Sequence, residues 1–413
     1  MQAQWPVWPR GSENGRKVLA DTLFSGRWTL SGPWAGRRSN EQEFAAQWAE
    51  YNGAAHCVPT ANGTSALTIA MEALDVGYGD EVIVPGLTWV ASASAVLNLN
   101  AVPVLVDIDP ATLCIDPAAV ESAITPRTKA IVVVHLYCSM ADMDAILDIG
   151  QRHGIPVIED SAQAHGARWR GAAAGTLGRI GTFSMQETKL LTAGEGGAAI
   201  TDDPELFDRM FQLHADGRRQ AQQPLAVDQM ELVEKSSVMG NNYCLSEFGA
   251  GVLIDQLALL EDEHRLREEN AQRLTKALDA IPGVSRVQIP DAVTRPTYYH
   301  YAVRYDPAAF AGKPLQDVIR ALTAELGFPV NRCYPALQAH PLYQPHTKRR
   351  YRLGDAHVVA VDPRRFELPN ARRAHDEVFT FHHRLLLAGT ADIDSVAEAI
   401  SKVARSAHEI ETS

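Results

Sequence analysis

Cysteine is scarce in this chain, with 5 among 413 residues. Cys57, Cys114, Cys138, Cys244 and Cys333 are odd in number and far apart, and no Cys-x-x-Cys pair occurs. A disulfide scaffold and a structural zinc site are therefore unsupported, and a reducing cytoplasm is the expected compartment. Long apolar runs are missing too: none approaches the roughly 18 residues that suggest a membrane helix. The opening MQAQWPVWPRGSENG lacks the basic-then-apolar order of a signal peptide. Positive charge is in deficit, with 38 Lys and Arg against 50 Asp and Glu and a formal net charge of -12. Arginine pairs at 218–219, 349–350 and 372–373 are isolated, so no nucleic-acid surface is expected. Neither Gly-x-Gly-x-x-Gly nor a Gly-Lys-Ser/Thr phosphate loop is present, which leaves nicotinamide and ATP loops unsupported.

What is present is an ordinary globular balance, 46% hydrophobic and 21% charged. The length suits two domains. Trp5, Trp8, Trp28 and Trp34 fall among Pro and Gly in an arm of residues 1–35, expected to pack on its own body or on a partner subunit. A large domain is expected over 36–270. Asn40 opens an amphipathic helix with Phe44, Trp48 and Tyr51 on one face. Apolar strands at Glu81–Val84, Val104–Asp107, Ala130–Val134 and Pro156–Asp160 alternate with helices at Ala66–Leu74, Ala91–Val96 and Asp142–Gly150. That alternation predicts an α/β fold with a mostly parallel sheet. Pro103 is read as the first residue of its strand, where a missing N–H is tolerated.

Strands at Gly181–Met185 and Gly196–Ile200 follow as a hairpin-like return around Lys189, then a helix at Asp203–Leu213. A long helix runs from Ser246 with Phe248, Val252, Leu257 and Leu260 as its expected apolar side. A smaller α+β domain over 271–413 is expected to hold strands at Tyr298–Val303 and Leu386-Leu387 and helices at Leu315–Leu326 and Ala391–Val403.

The chemistry concentrates between Pro156 and Gly197. A buried strand ends in Asp160, and His165, Ser184 and a lone Lys189 follow in a region rich in Gly, Ser and Thr. Ligands of open α/β sheets bind at the C-terminal strand ends. A lysine there, downstream of an acid, suits an imine to pyridoxal phosphate, with Asp160 on the protonated pyridine nitrogen. Any one of these residues alone would read as a surface lysine or a strand-end acid; their order carries the chemistry. Asn62-Gly63-Thr64-Ser65 runs straight into a helix and offers free N–H groups and hydroxyls to a phosphate. Trp89, just past a strand end, can stack on a planar ring. Histidines at His340, His382 and His383 lack the helical spacing of a metal site, so no metal is expected.

These stretches resemble the DegT/DnrJ/EryC1/StrS family of pyridoxal-phosphate-dependent sugar aminotransferases. The resemblance is carried by NGTSAL at 62–67, GDEVIVPGLTWVAS at 79–92, PVLVDIDP at 103–110, PVIEDSAQAHGA at 156–167 and SMQETKLLTAGEGG at 184–197. It implies a fold-type I, aspartate aminotransferase-like architecture. It further implies that Lys189 holds pyridoxal 5'-phosphate covalently as a Schiff base and moves protons, and that Asp160 pairs with the ring nitrogen. Gln163 would contact the ring 3-oxygen, and Trp89 would stack on the ring face. Gly63, Thr64 and Ser184 would hold the phosphate, joined by Asn242 from the neighbouring subunit of a homodimer with shared sites. Relatives carry arginine two positions past that asparagine, where this chain has Cys244. Dehydratase relatives replace the lysine by histidine, so Lys189 speaks for amino transfer.

Within the family the chain is most similar to cyclitol aminotransferases of aminoglycoside antibiotic pathways. The residues involved are KLLTAGEGGAAITDD, MELVEKSSVMGNNYCLSEF, TYYHYAVR and FHHRLLLAG. That similarity implies L-glutamine as donor and a ring ketone as acceptor: 2-deoxy-scyllo-inosose, and also 3-amino-2,3-dideoxy-scyllo-inosose. The alternatives are scyllo-inosose, a C7-cyclitol ketone of valienone or validone type, or a nucleotide-linked keto sugar. Tyr334 and His340 are the candidates for contacts to the cyclitol.

Overall fold

The computed structural model describes residues 5–411. Residues 1–4 of the expected arm, and 412–413 at the far end, lie outside the described residues. The strands of the larger part are β1 (His56–Thr60), β2 (Glu81–Pro85), β3 (Val102–Val106), β4 (Thr128–Val134) and β5 (Val157–Asp160). The short ribbon β6 (Arg168–Trp169) and β7 (Ala172–Ala173) follows, then β8 (Ile180–Ser184) and β9 (Gly197–Thr201). Seven of them form one sheet in the order β1-β9-β8-β5-β4-β2-β3. β9 runs antiparallel to both neighbours, and the other pairings are parallel. Central strands need apolar residues on both faces when helices cover both. Accordingly Ala130–Val134 and all of β5 are buried.

β3 begins at Val102, so Pro103 is its second residue and not its first as the sequence reading had it. The proline is tolerated because β3 is an edge strand, where one row of N–H groups has no ladder partner.

The helices are α1 (Glu13–Phe24), α2 (Asn40–Asn52), α3 (Gly63–Ala73), α4 (Ala91–Asn98), α5 (Pro117–Ala123), α6 (Met143–His153), α7 (Pro204–His214) and α8 (Glu247–Leu278). Ser39 and Gln42 form a reciprocal capping box that starts α2. That helix buries Phe44 and Trp48 completely, and Tyr51 stacks on Trp48 at 5.3 Å.

The N-terminal stretch is more ordered than its composition suggested. Ser12 caps α1, and its hydroxyl also reaches Asp255 on α8 at 2.5 Å. Gly15 lets the two helices meet, since a Cβ there would lie 2.6 Å from an Asp255 oxygen. The Trp5 indole donates to the Leu326 carbonyl at 2.8 Å.

The apolar side foreseen for α8 is rotated. Leu260 is buried, but Phe248, Val252 and Leu257 are only half-buried, while Ala250, Leu253, Ala271 and Leu274 face the core. Hydropathy misplaced it because the buried face also carries Asp255, Glu263, His264 and Arg267. Two of these acids find partners in the N-terminal segment, Asp255 with Ser12 and Glu263 with Arg10.

α8 crosses residue 270 without a break and packs on α2 as well as on the helix Thr390–Arg405. Beyond it a second sheet is built from β12 (Val284–Arg286), β14 (His300–Tyr305), β15 (Val330–Arg332) and β16 (Val378–His382), in the order β12-β14-β16-β15. The remaining short strands are β10 (Arg219–Gln220), paired with β11 (Leu232–Val233), and β13 (Val293–Arg295), which joins β6.

Leu386-Leu387, expected as a strand, lies in a 3₁₀ turn over His383–Leu387. Asn270 explains the difference: its side-chain amide donates to the carbonyls of Leu386 and Ala388 at 2.8 and 2.9 Å, tying this segment to α8. The expected helices at Leu315–Leu326 and Ala391–Val403 are present, the second as Thr390–Arg405. Among the described residues no helix is long and apolar enough to cross a membrane.

Candidate active site

The C-terminal ends of β2, β4, β5 and β8 and the N-terminus of α3 surround a cavity of about 820 Å³. Gly63, Thr64, Trp89, Asp160, Gln163, Ser184, Lys189 and Tyr334 all line it. The β-strand ends thus bring together residues more than a hundred positions apart.

Asp160 closes β5 and is 5% exposed. Its carboxylate accepts the Ser92 hydroxyl at 2.8 Å and the Ala162 N–H at 3.2 Å. Ser92 in turn touches the Thr88 hydroxyl at 3.0 Å, so α4 and the loop before it orient the acid. Burial raises the Asp160 pKa, against the lowering pull of Ser92, Ala162 and Lys189. A carboxylate so desolvated is stabilised as an anion by any cationic N–H brought next to it.

The helix α3 starts hard against the sheet. Asn62 caps it by accepting the Ser65 N–H at 2.8 Å. A Cβ on Gly63 would lie 2.7 Å from the Ser184 Cβ, and one on Gly197 would lie 2.5 Å from the Asn62 carbonyl carbon. Two glycines therefore allow the helix terminus and the Ser184 hydroxyl to share one small space. The dipole and free N–H groups of such a terminus favour an anion.

Lys189 sits in the turn between β8 and β9, confirming the hairpin-like return. The Glu187 N–H donates to Gly194 and the Lys189 N–H to Gln186, both at 2.8 Å. The amine is buried and lies 4.2 Å from the centre of the Tyr299 ring. Tyr299 also meets the Thr188 hydroxyl at 3.0 Å.

Tyr137, at the end of β4 with φ of 59°, donates its N–H to Gln163 Oε1 at 2.9 Å. With its oxygen engaged, Gln163 turns its NH₂ group away from that contact, free to donate. The Tyr137 hydroxyl accepts the Tyr334 N–H at 3.0 Å. The Tyr334 phenol interacts with Tyr299 and Gln163, and burial keeps it protonated by raising its pKa well above the usual value. Trp89 stands at the rim, 45% exposed, with its ring 5.9 Å from Tyr334.

Neither His340 nor Asn242 lines this cavity, Asn242 being expected to serve the neighbouring subunit's site. His340 is buried behind Trp89, ring centres 6.1 Å apart, and its Nδ1 accepts the Leu342 N–H at 3.1 Å. Asn242 is exposed on the loop before α8, where its side chain accepts the Cys244 N–H at 3.3 Å; its neighbour Tyr243 lines the cavity.

The sequence reading missed Thr88, Ser92, Tyr137, Thr188 and Tyr299. Thr88, Ser92, Thr188 and Tyr299 fall within the stretches that carry the family resemblance, but nothing in those stretches singled them out, and Tyr137 lies outside them. His165 is not a cavity residue: it is fully buried, and its Nε2 contacts the Ser184 carbonyl at 2.9 Å. Burial lowers its pKa to about 3, so it is a neutral ring that donates to that carbonyl. No group of three or more His, Cys, Asp or Glu able to hold a metal ion occurs among the described residues.

The donor set fits a flat heteroaromatic ring with a protonated nitrogen and a phosphate arm. It offers a desolvated acid for the nitrogen, a glycine-shaped helix terminus for the phosphate, an amide and phenols for ring oxygens, and one amine for a carbonyl carbon.

A model of the DegT/DnrJ/EryC1/StrS aminotransferase family matches residues 12–401. L-glutamine:2-deoxy-scyllo-inosose aminotransferase of Streptoalloteichus tenebrarius is 52% identical over 401 residues, covering 97% of this chain and 94% of that one. L-glutamine:scyllo-inosose aminotransferase of Streptomyces griseus is 50% identical over 407 residues, covering 98% and 96%. Among solved structures, 3-amino-5-hydroxybenzoic acid synthase superposes with a TM-score of 0.83 at 33% identity, covering 98% of this chain and 99% of that one.

Proposed function

Because the chain belongs to the DegT/DnrJ/EryC1/StrS aminotransferase family, we propose that it moves the α-amino group of L-glutamine onto the ring ketone 2-deoxy-scyllo-inosose. We place that reaction in aminoglycoside antibiotic synthesis, with pyridoxal 5'-phosphate held at Lys189. The observation that carries this reading is the near-complete overlap with relatives named for that reaction, six of them between 47% and 52% identical. The cavity wall supports it. Lys189 is the one cation among its lining residues, whereas Asn, Ser, Thr, Gln and Tyr side chains are plentiful. Such a wall suits a neutral polyol better than a nucleotide-linked sugar, whose diphosphate calls for arginine or lysine.

Pyridoxal phosphate, when bound, supplies the sink for the electron pair released as a substrate C–H bond breaks. The residues of the chain do the rest. Asp160, oriented by Ser92, keeps the proton on the ring nitrogen. Gly63, Thr64 and Ser184 hold the phosphate at the start of α3, with Asn242 of the second subunit of a homodimer as a further donor. Gln163 binds the ring oxygen, and Trp89 covers one ring face. Lys189 would hold the cofactor covalently until the donor's amino group displaces it, and its freed amine would then move a proton from the donor's α-carbon to the cofactor carbon on the other side of the amino nitrogen. In the second half-reaction it moves a proton in the reverse direction onto the former ketone carbon. Tyr334 binds cyclitol hydroxyls at the mouth. A site of paired donors of this kind discriminates against an analogue that leaves one unpaired.

A second reading, scyllo-inosose as acceptor, is favoured by the similarly high identity to the enzyme named for it. 3-Amino-2,3-dideoxy-scyllo-inosose is a later acceptor on the strength of a 40% identical putative relative. The test is to load the enzyme, supply glutamine carrying heavy nitrogen at the α-position, and offer the three ketones and a nucleotide-linked keto sugar separately. The expected result is heavy nitrogen in the cyclitol amine, fastest with 2-deoxy-scyllo-inosose. Transfer only to a nucleotide-linked sugar, or to no ring ketone, would overturn the reading.

A further inference from the structure

The turn that carries Lys189 is gripped from outside the cavity by side chains from both ends of the chain. Its two consecutive carbonyls, Glu187 and Thr188, both point at donors. The Trp8 indole N–H donates to the Glu187 carbonyl at 2.9 Å. His382 and His383 both place Nε2 at 3.1 Å from the Thr188 carbonyl. A carbonyl only accepts, so each imidazole must carry its proton on Nε2. His382 Nδ1 is then free to accept the Arg384 N–H at 3.3 Å, as it does, whereas the buried His383 Nδ1 has no partner.

The three donors support one another. The Trp8 ring meets His383 edge-on at 4.5 Å, and the Arg267 guanidinium lies 5.3 Å from the Trp8 ring. On the cavity side the same turn is fixed by the Thr188 hydroxyl on Tyr299, the ring that lies 4.2 Å from the Lys189 amine. The β14 and β16 segments that supply Tyr299 and the two histidines are joined directly, the His383 N–H donating to the Tyr299 carbonyl at 3.2 Å.

We infer that Trp8, His382 and His383 are positioning residues for Lys189: a three-donor clamp that fixes the turn and thereby the place of the amine. Two loose carbonyls would let the turn tilt, and displacements of about 1 Å in a reacting group cost on the order of 100-fold in rate. The inference rests on Lys189 being the reactive amine of the proposed function.

The test uses the full-length chain and three variants. Trp8→Phe keeps the ring and removes the N–H, His383→Leu removes the donor, and His383→Gln keeps one. In cofactor-free enzyme, amide hydrogen exchange over residues 186–191 is expected to quicken about tenfold in Trp8→Phe and His383→Leu, with β4 and β5 unchanged. In loaded enzyme the maximal rate of the glutamine half-reaction is expected to fall roughly 10- to 100-fold. The half-saturating glutamine concentration should hold, and His383→Gln should recover most of the rate. Wild-type exchange in Trp8→Phe would overturn the clamp, as would a lost rate that His383→Gln does not restore. If His383→Leu does not fold, the Trp8→Phe and His383→Gln comparisons decide alone. Failure of the wild-type enzyme to accept glutamine would sink the proposed function instead, and leave the exchange result to judge the clamp.

Discussion

Asp160→Asn should have opposite effects on the empty and the loaded protein. In the empty protein Asp160 is buried and its pKa is raised by desolvation. A carboxyl whose folded pKa exceeds the unfolded value binds more protons when folded, so its contribution to stability falls as pH rises above the unfolded value. Asparagine has no charge to desolvate and can keep the contact to Ser92. At pH 7 the cofactor-free variant should therefore match or exceed wild type in thermal midpoint.

With cofactor the order reverses. The anionic partner of a protonated ring nitrogen is lost, and hydrogen bonds to charged groups contribute about 1.5–3 kcal/mol. That converts to a loss of roughly 10- to 100-fold in affinity. The slowing of the half-reaction should be larger still, because the ring nitrogen also loses its proton. Differential scanning fluorimetry with and without cofactor, a cofactor titration and a single-turnover glutamine assay read the three quantities. Wild-type cofactor affinity and wild-type turnover in Asp160→Asn would refute the role assigned to the acid. A cofactor-free variant much less stable than wild type would refute the view that burial strains the carboxylate.

Gly63→Ala puts a Cβ 2.7 Å from the Ser184 Cβ. It should destabilise by about 1–3 kcal/mol and weaken inorganic phosphate as a competitor of cofactor loading, which a calorimetric titration can check. Four of the buried histidines have strongly lowered pKa values: His165 to about 3, His214 to about 4, and His264 and His383 well below the ordinary value, each chiefly through burial. Unfolding lets them protonate, so stability is lost as pH falls below the unfolded value of about 6.5, by about 1 kcal/mol apiece one unit lower, roughly 4 kcal/mol together. Denaturant midpoints that hold flat from pH 7 to 5.5 would contradict this. Glu159→Gln removes a fully buried carboxylate that accepts three amides, from Gly175, Leu177 and Gly178, and meets His135 at 3.0 Å. It should destabilise by about 1.5–3 kcal/mol, the scale of hydrogen bonds to a charged group, and raise proteolysis around residues 173–179.

What the sequence makes legible follows from how local each signal is. The strands β2, β4, β5 and β8 were readable because parallel strands demand unbroken apolar runs, and the helices because Ser39, Asn62, Asp142, Asp203 and Ser246 cap them within a few residues. The strand edge of Pro103 and the turn at Leu386 were misread because each is decided by a distant partner: the sheet order in one case, Asn270 in the other. The same division holds in the cavity. Asp160, Ser184 and Lys189 lie in one stretch of sequence and could be read together. Ser92, Tyr137 and Tyr299 act through residues 68, 26 and more than a hundred positions away, and although Ser92 and Tyr299 fall within family stretches, nothing local marks their partners. The apolar side of α8 was misplaced for a related reason, since its buried acids Asp255 and Glu263 find partners in the N-terminal segment.

The bonds to the lysine turn join positions 179 and 195 residues apart in the chain. Trp8 lies ahead of the central sheet in sequence, and His382 and His383 lie far beyond it. Pairing of β8 with β9 alone therefore leaves the carbonyls of Glu187 and Thr188 without these donors. Fastening the turn is a tertiary event, complete only when segments from both flanks have docked against it.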